Sequence, residues 1–529
     1  MIQIRGLRLM PGEDGDALRE RAAKKLGLRP GEIREYRLLR RSLDARRKDD
    51  VHYVCTLAVE LGDKEARLLA HGKSADLSPY REKEYPIPRV KSAERPVVVG
   101  FGPAGMFASL LLAYAGARPI VLERGGDVDS RLAAVERFRA GGELDAENNV
   151  QFGEGGAGTF SDGKLNTGTH DERIAWVLRQ FRAHGAQEEI LWDAKPHIGT
   201  DVLGRVVKSI RRDIVEHGGE IRFFSRLTGL ETENGSLTGA RVHAPEGDYL
   251  LPCSKLILAI GHSARDTFAM LRDLGIMMER KAFSMGVRIE HRQSAIDRAQ
   301  YGREHRNDLP AADYSLSVHF PDGESAYTFC MCPGGQVFAA ASEAGGVVTN
   351  GMSYSGRGGE NANAALLVTL RPEDFPSSDL FAGMEWQREI ERAAYSCGGG
   401  DYRAPAQLVG DFLSEKPSVG PGSVLPSYRP GVVWGDVREI LPDKITSVLA
   451  RAIPEFGKKL RGFDDPDAVL TAPETRSSSP VRILRGRDLV SLSLAGLYPC
   501  GEGAGYAGGI TSAAVDGLRC AEALLKELK

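Results

Sequence analysis

The sequence predicts an α/β protein in three parts. These are a small N-terminal α+β domain (1–90), a Rossmann-like domain split between 91–280 and 466–529, and an inserted α+β domain (281–465). Three observations carry that expectation. Residues 97–123, "VVVGFGPAGMFASLLLAYAGARPIVLE", read as strand, glycine turn, helix and second strand in register. Residues 497–517, "LYPCGEGAGYAGGITSAAVDG", repeat the strand, glycine turn and helix start close to residue 529, with no room for a further strand. Residues 1–90 alternate strand and helix patterns by themselves and close on a stretch, 79–96, holding four prolines.

Composition sets outer limits. A chain of 529 residues, 27% charged and 42% hydrophobic, fits an ordinary globular protein of two or three domains. Its 62 glycines fall in clusters, not in a repeat. A formal net charge of −3 speaks against a basic nucleic-acid binder. No apolar run reaches the roughly 18–20 residues of a membrane span, and the first residues lack a signal-peptide layout. Seven scattered cysteines read as reduced thiols, so a soluble, cytoplasmic protein without membrane partners is expected.

In the N-terminal part, "IQIRGLRLM", "EIREYRLLRRSLD" and "VHYVCTLAVEL" suit strands, while "DALRERAAKKLGL" and "DKEARLLAHG" suit helices. Residues 34–48 hold seven basic side chains. An RNA-contacting hairpin is conceivable there, but a solvated face is the plainer reading, since no aromatic stacking pattern accompanies the charge.

At 97–123, Gly100, Gly102 and Gly105 keep the G-x-G-x-x-G spacing, with Pro103 and Ala104 between them. Gly100 permits the turn, Gly102 lets a pyrophosphate approach the backbone, and Gly105 lets the helix pack on the strand. Glu123 ends the second strand, followed by Arg124, where a carboxylate accepts from adenosine ribose hydroxyls and disfavours a 2′-phosphate. This is a dinucleotide site. A glycine-rich loop (152–168), two helical patterns and an antiparallel run (220–261) follow. From 281 to 460 the pattern is mixed, with one helix expected at 383–396, and a last helix closes the chain.

Two later stretches also carry dense glycine: "GEGGAG", with Gly155 and Gly156, and "GEGAGYAGG", with Gly501, Gly508 and Gly509. Neither can be a second nucleotide domain, since neither is followed by a strand with a terminal acid. Both can meet the far half of one long ligand, which points to FAD in preference to NAD. In that reading Glu502 accepts from ribityl hydroxyls. The helix start at Ile510–Ser512 turns its positive end toward the flavin N1 and C2 carbonyl.

The end of the chain resembles the second flavin motif of glutathione-reductase-type flavoproteins, with Glu502 where aspartate is more usual. "KLILAIGHSARDTF" is similar to their "ATG"-type segment, with Ile260 in place of threonine. "VQFGEGGAGTFSDGKLNTG", "FSMGVRIEH", "CMCPGGQV", "NGMSYSGRGGENANAALLV" and "APETRSSSPVRI" together resemble the bacterial FAD-dependent, or NAD(FAD)-utilizing, dehydrogenases along the whole chain. That resemblance implies FAD and an oxidoreductase fold with an inserted substrate domain, and no particular substrate.

Flavin supplies the redox chemistry, so the site should lie where loops reach its ring. Ser161, Asp162 and Lys164 offer polar partners, with Lys164 near the flavin or the phosphates. Gly261, His262 and Arg265 open a loop at a strand's carboxyl end, where Arg265 suits a phosphate or an anionic substrate. Glu474 and Arg476 read as a pair on a loop over the site, and Arg357, Glu360, Asn361 and Asn363 as a substrate loop. Cys330 and Cys332 would share one face of an extended strand, and structural thiols are the plainer reading than a redox pair. No metal site and no general acid or base is legible. The expectation is an FAD-dependent oxidoreductase moving hydride between flavin and a small molecule, with NADH or NADPH as a transient electron donor. The alternatives are a flavin-dependent RNA-modifying enzyme and a non-catalytic flavin-binding redox module.

Overall fold

In the computed structural model, which describes residues 1–71, 75–302 and 308–528, five short strands form the central sheet. Their order is Leu497–Pro499, Leu256–Leu258, Val97–Val99, Ile120–Leu122 and Glu220–Arg222, all parallel. The first four are apolar throughout because both faces are covered. Val98, Val121, Ile257 and Tyr498 face helices Pro103–Tyr114, Thr200–Glu216 and Ile510–Glu527. Val97, Val99, Leu122, Leu256, Leu258 and Leu497 face the antiparallel meander of 226–252 and helix Arg265–Asp273. The strand near the end of the chain therefore completes a sheet begun at residue 97, as a discontinuous Rossmann-like domain requires.

The inserted domain is a seven-stranded mixed sheet. Its central strand, Phe283–Arg292, sends Phe283, Met285, Val287 and Ile289 into an apolar core with helix Asp443–Lys459. The period of two leaves Ser284, Gly286, Arg288 and Glu290 on the opposite face. Strand Val469–Glu474 pairs with Phe283–Arg292 and Ala404–Leu408. Strand Val469–Glu474 lies past the boundary expected at 465 and yet belongs to the inserted sheet. Helix Ala382–Cys397 lies where expected, whereas Asp443–Lys459 is not legible in the sequence because Pro454 interrupts its pattern.

The N-terminal domain has strand order Glu35–Asp44, His52–Glu60, Ile2–Leu9 and Leu77–Pro79. Helix Gly15–Leu26, capped by Asp14 and ended by Gly27, packs on it. The second helix is Lys64–His71, and Gly72 of the expected helical stretch lies outside the described residues. The edge strand Glu35–Asp44 does not stand free. The Arg41 N–H donates to the Trp192 carbonyl, the Ala194 N–H donates to Arg41, and the Arg41 guanidinium grips Asp193 at 2.8 and 3.1 Å. Much of the basic run is likewise paired, Arg37 with Glu35 and Glu82, Arg46 with Asp44, and Arg47 with Asp49. No described helix is long and apolar enough to cross a membrane.

Candidate functional site

The carboxyl ends of four parallel strands open into one cleft of about 440 Å³. After Val99 the chain turns at Gly100, whose φ of +92° suits glycine and whose missing Cβ clears the Ala259 carbonyl. Gly102 then caps helix Pro103–Tyr114. A Cβ on Gly105 would lie 1.9 Å from the Gly100 carbonyl oxygen, so the helix start and the turn are pressed together. Gly156 faces Gly102 so closely that its Cβ would stand 2.9 Å from the Gly102 Cα. Two glycine loops distant in sequence thus form one narrow backbone cradle.

Glu123 closes one end. Its carboxylate accepts from the N–H groups of Phe101 (2.7 Å), Gly125 and Gly153 (2.9 Å each), which ties three loop segments to the strand end. Beside it, the Arg124 guanidinium sits 4.1 Å over the Phe152 ring and pairs with Glu147 and Asp266. Behind this wall the fully buried Arg131 donates to the carbonyls of Asn149, Val150 and Glu154, each at 2.7 Å. Its signal is present in the sequence: Arg131 falls on the same helical face as Ala134, Val135 and Phe138, all of them buried, where a charge needs partners.

The other end is built by the last segment. Gly508, Gly509 and Ile510 bring the start of helix Ile510–Glu527 to the cleft, and a Cβ on Gly517 would lie 2.1 Å from the Ala104 carbonyl oxygen. The two helices that begin at the glycine loops are therefore in backbone contact. Glu502 faces His262 with 3.9 Å between Oε1 and Nε2. Burial pushes the Glu502 carboxyl up to about 7, opposed by the Lys281 ammonium. Burial, with the charges of Arg476 and Arg265, pulls His262 down to about 3, so its ring is neutral.

The inserted sheet forms the roof with its polar face. Arg288 is fully buried and holds Glu474 at 2.8 and 3.0 Å, Asn363 at 3.2 Å and the Cys330 carbonyl at 2.9 Å. Arg357 reaches down to Asp162 at 2.7 Å. Lys164 lines the cleft beside them.

Of the residues expected at a cofactor, Gly100, Gly102, Pro103, Ala104, Glu123 and Arg124 line the cleft. So do Gly156, Ser161, Lys164, Gly261, Glu502, Gly508, Gly509 and Ile510. Five lie behind its wall. Gly105, Gly155 and Gly501 are packing positions, and the Gly501 N–H is bonded to Asp516. The Ser512 hydroxyl turns back to the Gly509 carbonyl. Arg265 is corrected most fully: its guanidinium is buried between Glu391 and Glu343, so it carries no free charge for a phosphate. Glu474 and Arg476 do not pair with each other. Glu474 ends a strand against Arg288, and Arg476 grips Glu391 at 2.8 and 2.9 Å. Against the cost of burial, Arg476 and Arg265 hold the Glu391 carboxyl at about 2. Of the expected substrate loop only Arg357 reaches the cleft, since Asn361 and Asn363 begin a sheet strand and bond within the insertion. Cys330 and Cys332 do not sit on regular extended strand: Cys330 has φ +42° and the pairing shifts between Phe329 and Cys332.

Residues 282–477 match the family described as FAD-dependent protein, C-terminal domain-like, and residues 1–60 match a domain of unknown function. Among solved structures, a flavoprotein/dehydrogenase from Cytophaga hutchinsonii is 12% identical over 82% of this chain and 78% of its own, with a TM-score of 0.39. The FAD complex of glycerol-3-phosphate dehydrogenase from Bacillus halodurans is 10% identical over 83% and 64%, with a TM-score of 0.35. An uncharacterized protein of Clostridium beijerinckii is 46% identical over 99% of both chains. This chain belongs to the same family as that protein, and its inserted domain is of the kind found in FAD-dependent proteins.

Proposed function

We propose that the cleft binds FAD along its whole length and that the protein is an FAD-dependent oxidoreductase acting on a small molecule held under the inserted sheet. The observation that carries this reading is the convergence of two glycine-bounded helix starts, 400 residues apart in sequence, on one cleft roofed by polar side chains. Bound flavin would supply two-electron, hydride-type redox chemistry at its ring.

The chain's own residues divide the remaining work. Gly102, Pro103, Ala104 and Gly156 offer backbone to a pyrophosphate at the start of helix Pro103–Tyr114, where N–H groups and the helix dipole favour anions. Glu123 takes ribose hydroxyls on lone pairs not used by the loop. Glu502 takes ribityl hydroxyls, and Gly508–Ile510 present the start of the last helix to the pyrimidine edge of the ring. Lys164 lines the chamber with an ammonium, beside Arg357 and Arg476, whose charges are paired with Asp162 and Glu391. A nicotinamide nucleotide fits this reading as a transient donor entering the same chamber.

Gly102→Val tests the assignment. In the protein alone its Cβ would meet only the Gly156 Cα, at 3.7 Å, an ordinary contact, while a pyrophosphate at the cradle would have no room beside the side chain. The expected outcome is a wild-type protein with flavin absorption and a folded, colourless variant whose Tm matches that of flavin-stripped wild type. A yellow, fully loaded variant removes the cradle assignment. Anaerobic bleaching of the wild type by NADH and NADPH separately then identifies the donor.

A further inference from the structure

We propose that Cys330 and Cys332 form a dithiol–disulfide pair facing the flavin, which makes low-molecular-weight disulfides a substrate class of this protein. The proposal rests on the FAD reading above. Two cysteines line the cleft, Cys330 and Cys500. Cys500 is held as an inert thiol, raised well above the usual range by its hydrogen bond with Cys520 and by burial. Cys330 is half-buried, at the roof, opposite the loop that carries Glu502.

The local backbone is shaped around the pair. The bulge at Cys330 breaks the strand's alternation and folds Cys332 back, so that its Sγ lies 3.2 Å from the Cys330 carbonyl oxygen. A non-glycine residue at φ +42° persists only where its surroundings fix it. Here Arg288 clamps the same carbonyl at 2.9 Å and is itself fixed by Glu474 and Asn363.

The surroundings also divide the labour. A hydrogen bond from Cys332 lowers the Cys330 thiol most, burial opposes it, and the charges of Arg288 and Lys164 lower it further. Cys332, fully buried, is raised by the same bond. Cys330 is thus the thiolate and Cys332 the partner that keeps its proton.

The electron and proton balance closes. The Cys330–Cys332 disulfide would take two electrons and one proton from bound reduced flavin, itself recharged by a hydride donor of the nicotinamide class. The S–S bond breaks, leaving oxidised flavin, the Cys330 thiolate and the Cys332 thiol. The thiolate attacks an external disulfide and expels one half as a thiolate. The Cys332 sulfur then attacks the Cys330 sulfur, re-forms the internal disulfide, and releases the second half with the Cys332 proton.

Anaerobic dithionite titration of the air-oxidised holoprotein tests this. The wild type should take up about four electrons per flavin and Cys332→Ser about two, since each couple accepts two. In parallel, denatured oxidised wild type should resist alkylation at both cysteines until dithiothreitol is added, as read by peptide mass. If Cys332→Ser fails to fold, Cys330→Ser, at the half-buried position, must give the same two-electron endpoint. A yellow wild type that takes two electrons and alkylates at both positions overturns the pair while leaving the FAD reading intact. A colourless protein overturns both.

Discussion

Glu502 shows how far one side chain's setting governs the cleft. Burial raises its carboxyl to about 7, so in the protein without flavin the neutral acid is favoured below that value. On the proposed binding mode the Glu502 carboxylate accepts from ribityl hydroxyls, so flavin binding would release a proton and affinity would rise with pH. Between pH 8 and 6 the ionised fraction drops about tenfold, and flavin affinity should drop about tenfold with it. Its neighbour His262 is neutral across that window and adds nothing to the slope. Isothermal titration of the protein with FAD at several pH values checks this, and Glu502→Gln should abolish the slope. Glu502 was readable as a cleft residue from its Gly-acid-Gly turn. Arg265 was misread for a physical reason: a sequence shows a charge at a strand's end, but not the two carboxylates that neutralise it, Glu391 from helix Ala382–Cys397 and Glu343 from a separate loop.

At the scale of elements, the site depends on how closely the two glycine-loop helices approach. Gly517 sits against the Ala104 carbonyl with no space for a methyl group. Gly517→Ala should cost about 1–3 kcal/mol by overpacking and weaken flavin retention, because it forces apart the two helix starts that flank the cleft. Denaturant midpoints and released flavin measure the two effects. The strand–turn–helix units at both ends were legible because each is a local pattern, complete within some 25 residues. The roof was not. Arg288, Asn363 and Glu474 come from three strands joined by sheet register, and no spacing in the chain announces that they meet. The bulge at Cys330 was hidden for the same reason, since it is a property of pairing and not of composition.

At the scale of the molecule, a buried ion cluster ties the Rossmann-like domain to the insertion, alongside the Arg357–Asp162 pair. Glu391, on helix Ala382–Cys397, holds both Arg265, from the Rossmann-like domain, and Arg476, from the returning chain. Removing its charge leaves the buried Arg476 guanidinium without its carboxylate partner and Arg265 with Glu343 alone, so Glu391→Gln should lose about 3–5 kcal/mol. Calorimetry should then show the joint transition split or broadened as the two domains uncouple. The three-part architecture was legible from changes in texture along the chain, while the end of the insertion, beyond residue 465, became clear only from strand pairing.

The pairing of Leu497–Pro499 with Leu256–Leu258 carries a consequence for how the protein reaches this state. Every residue of the insertion lies between those two strands, so the central sheet closes only after a long loop has been brought together. Contacts so distant in sequence form slowly. The insertion's strand pairs all span less of the chain than this one, the widest being Phe283–Arg292 with Val469–Glu474, so the insertion is expected to order first and the cleft last. The half-assembled chain would carry an unpaired strand edge at Leu256–Leu258, open to the wrong partner until the final segment arrives.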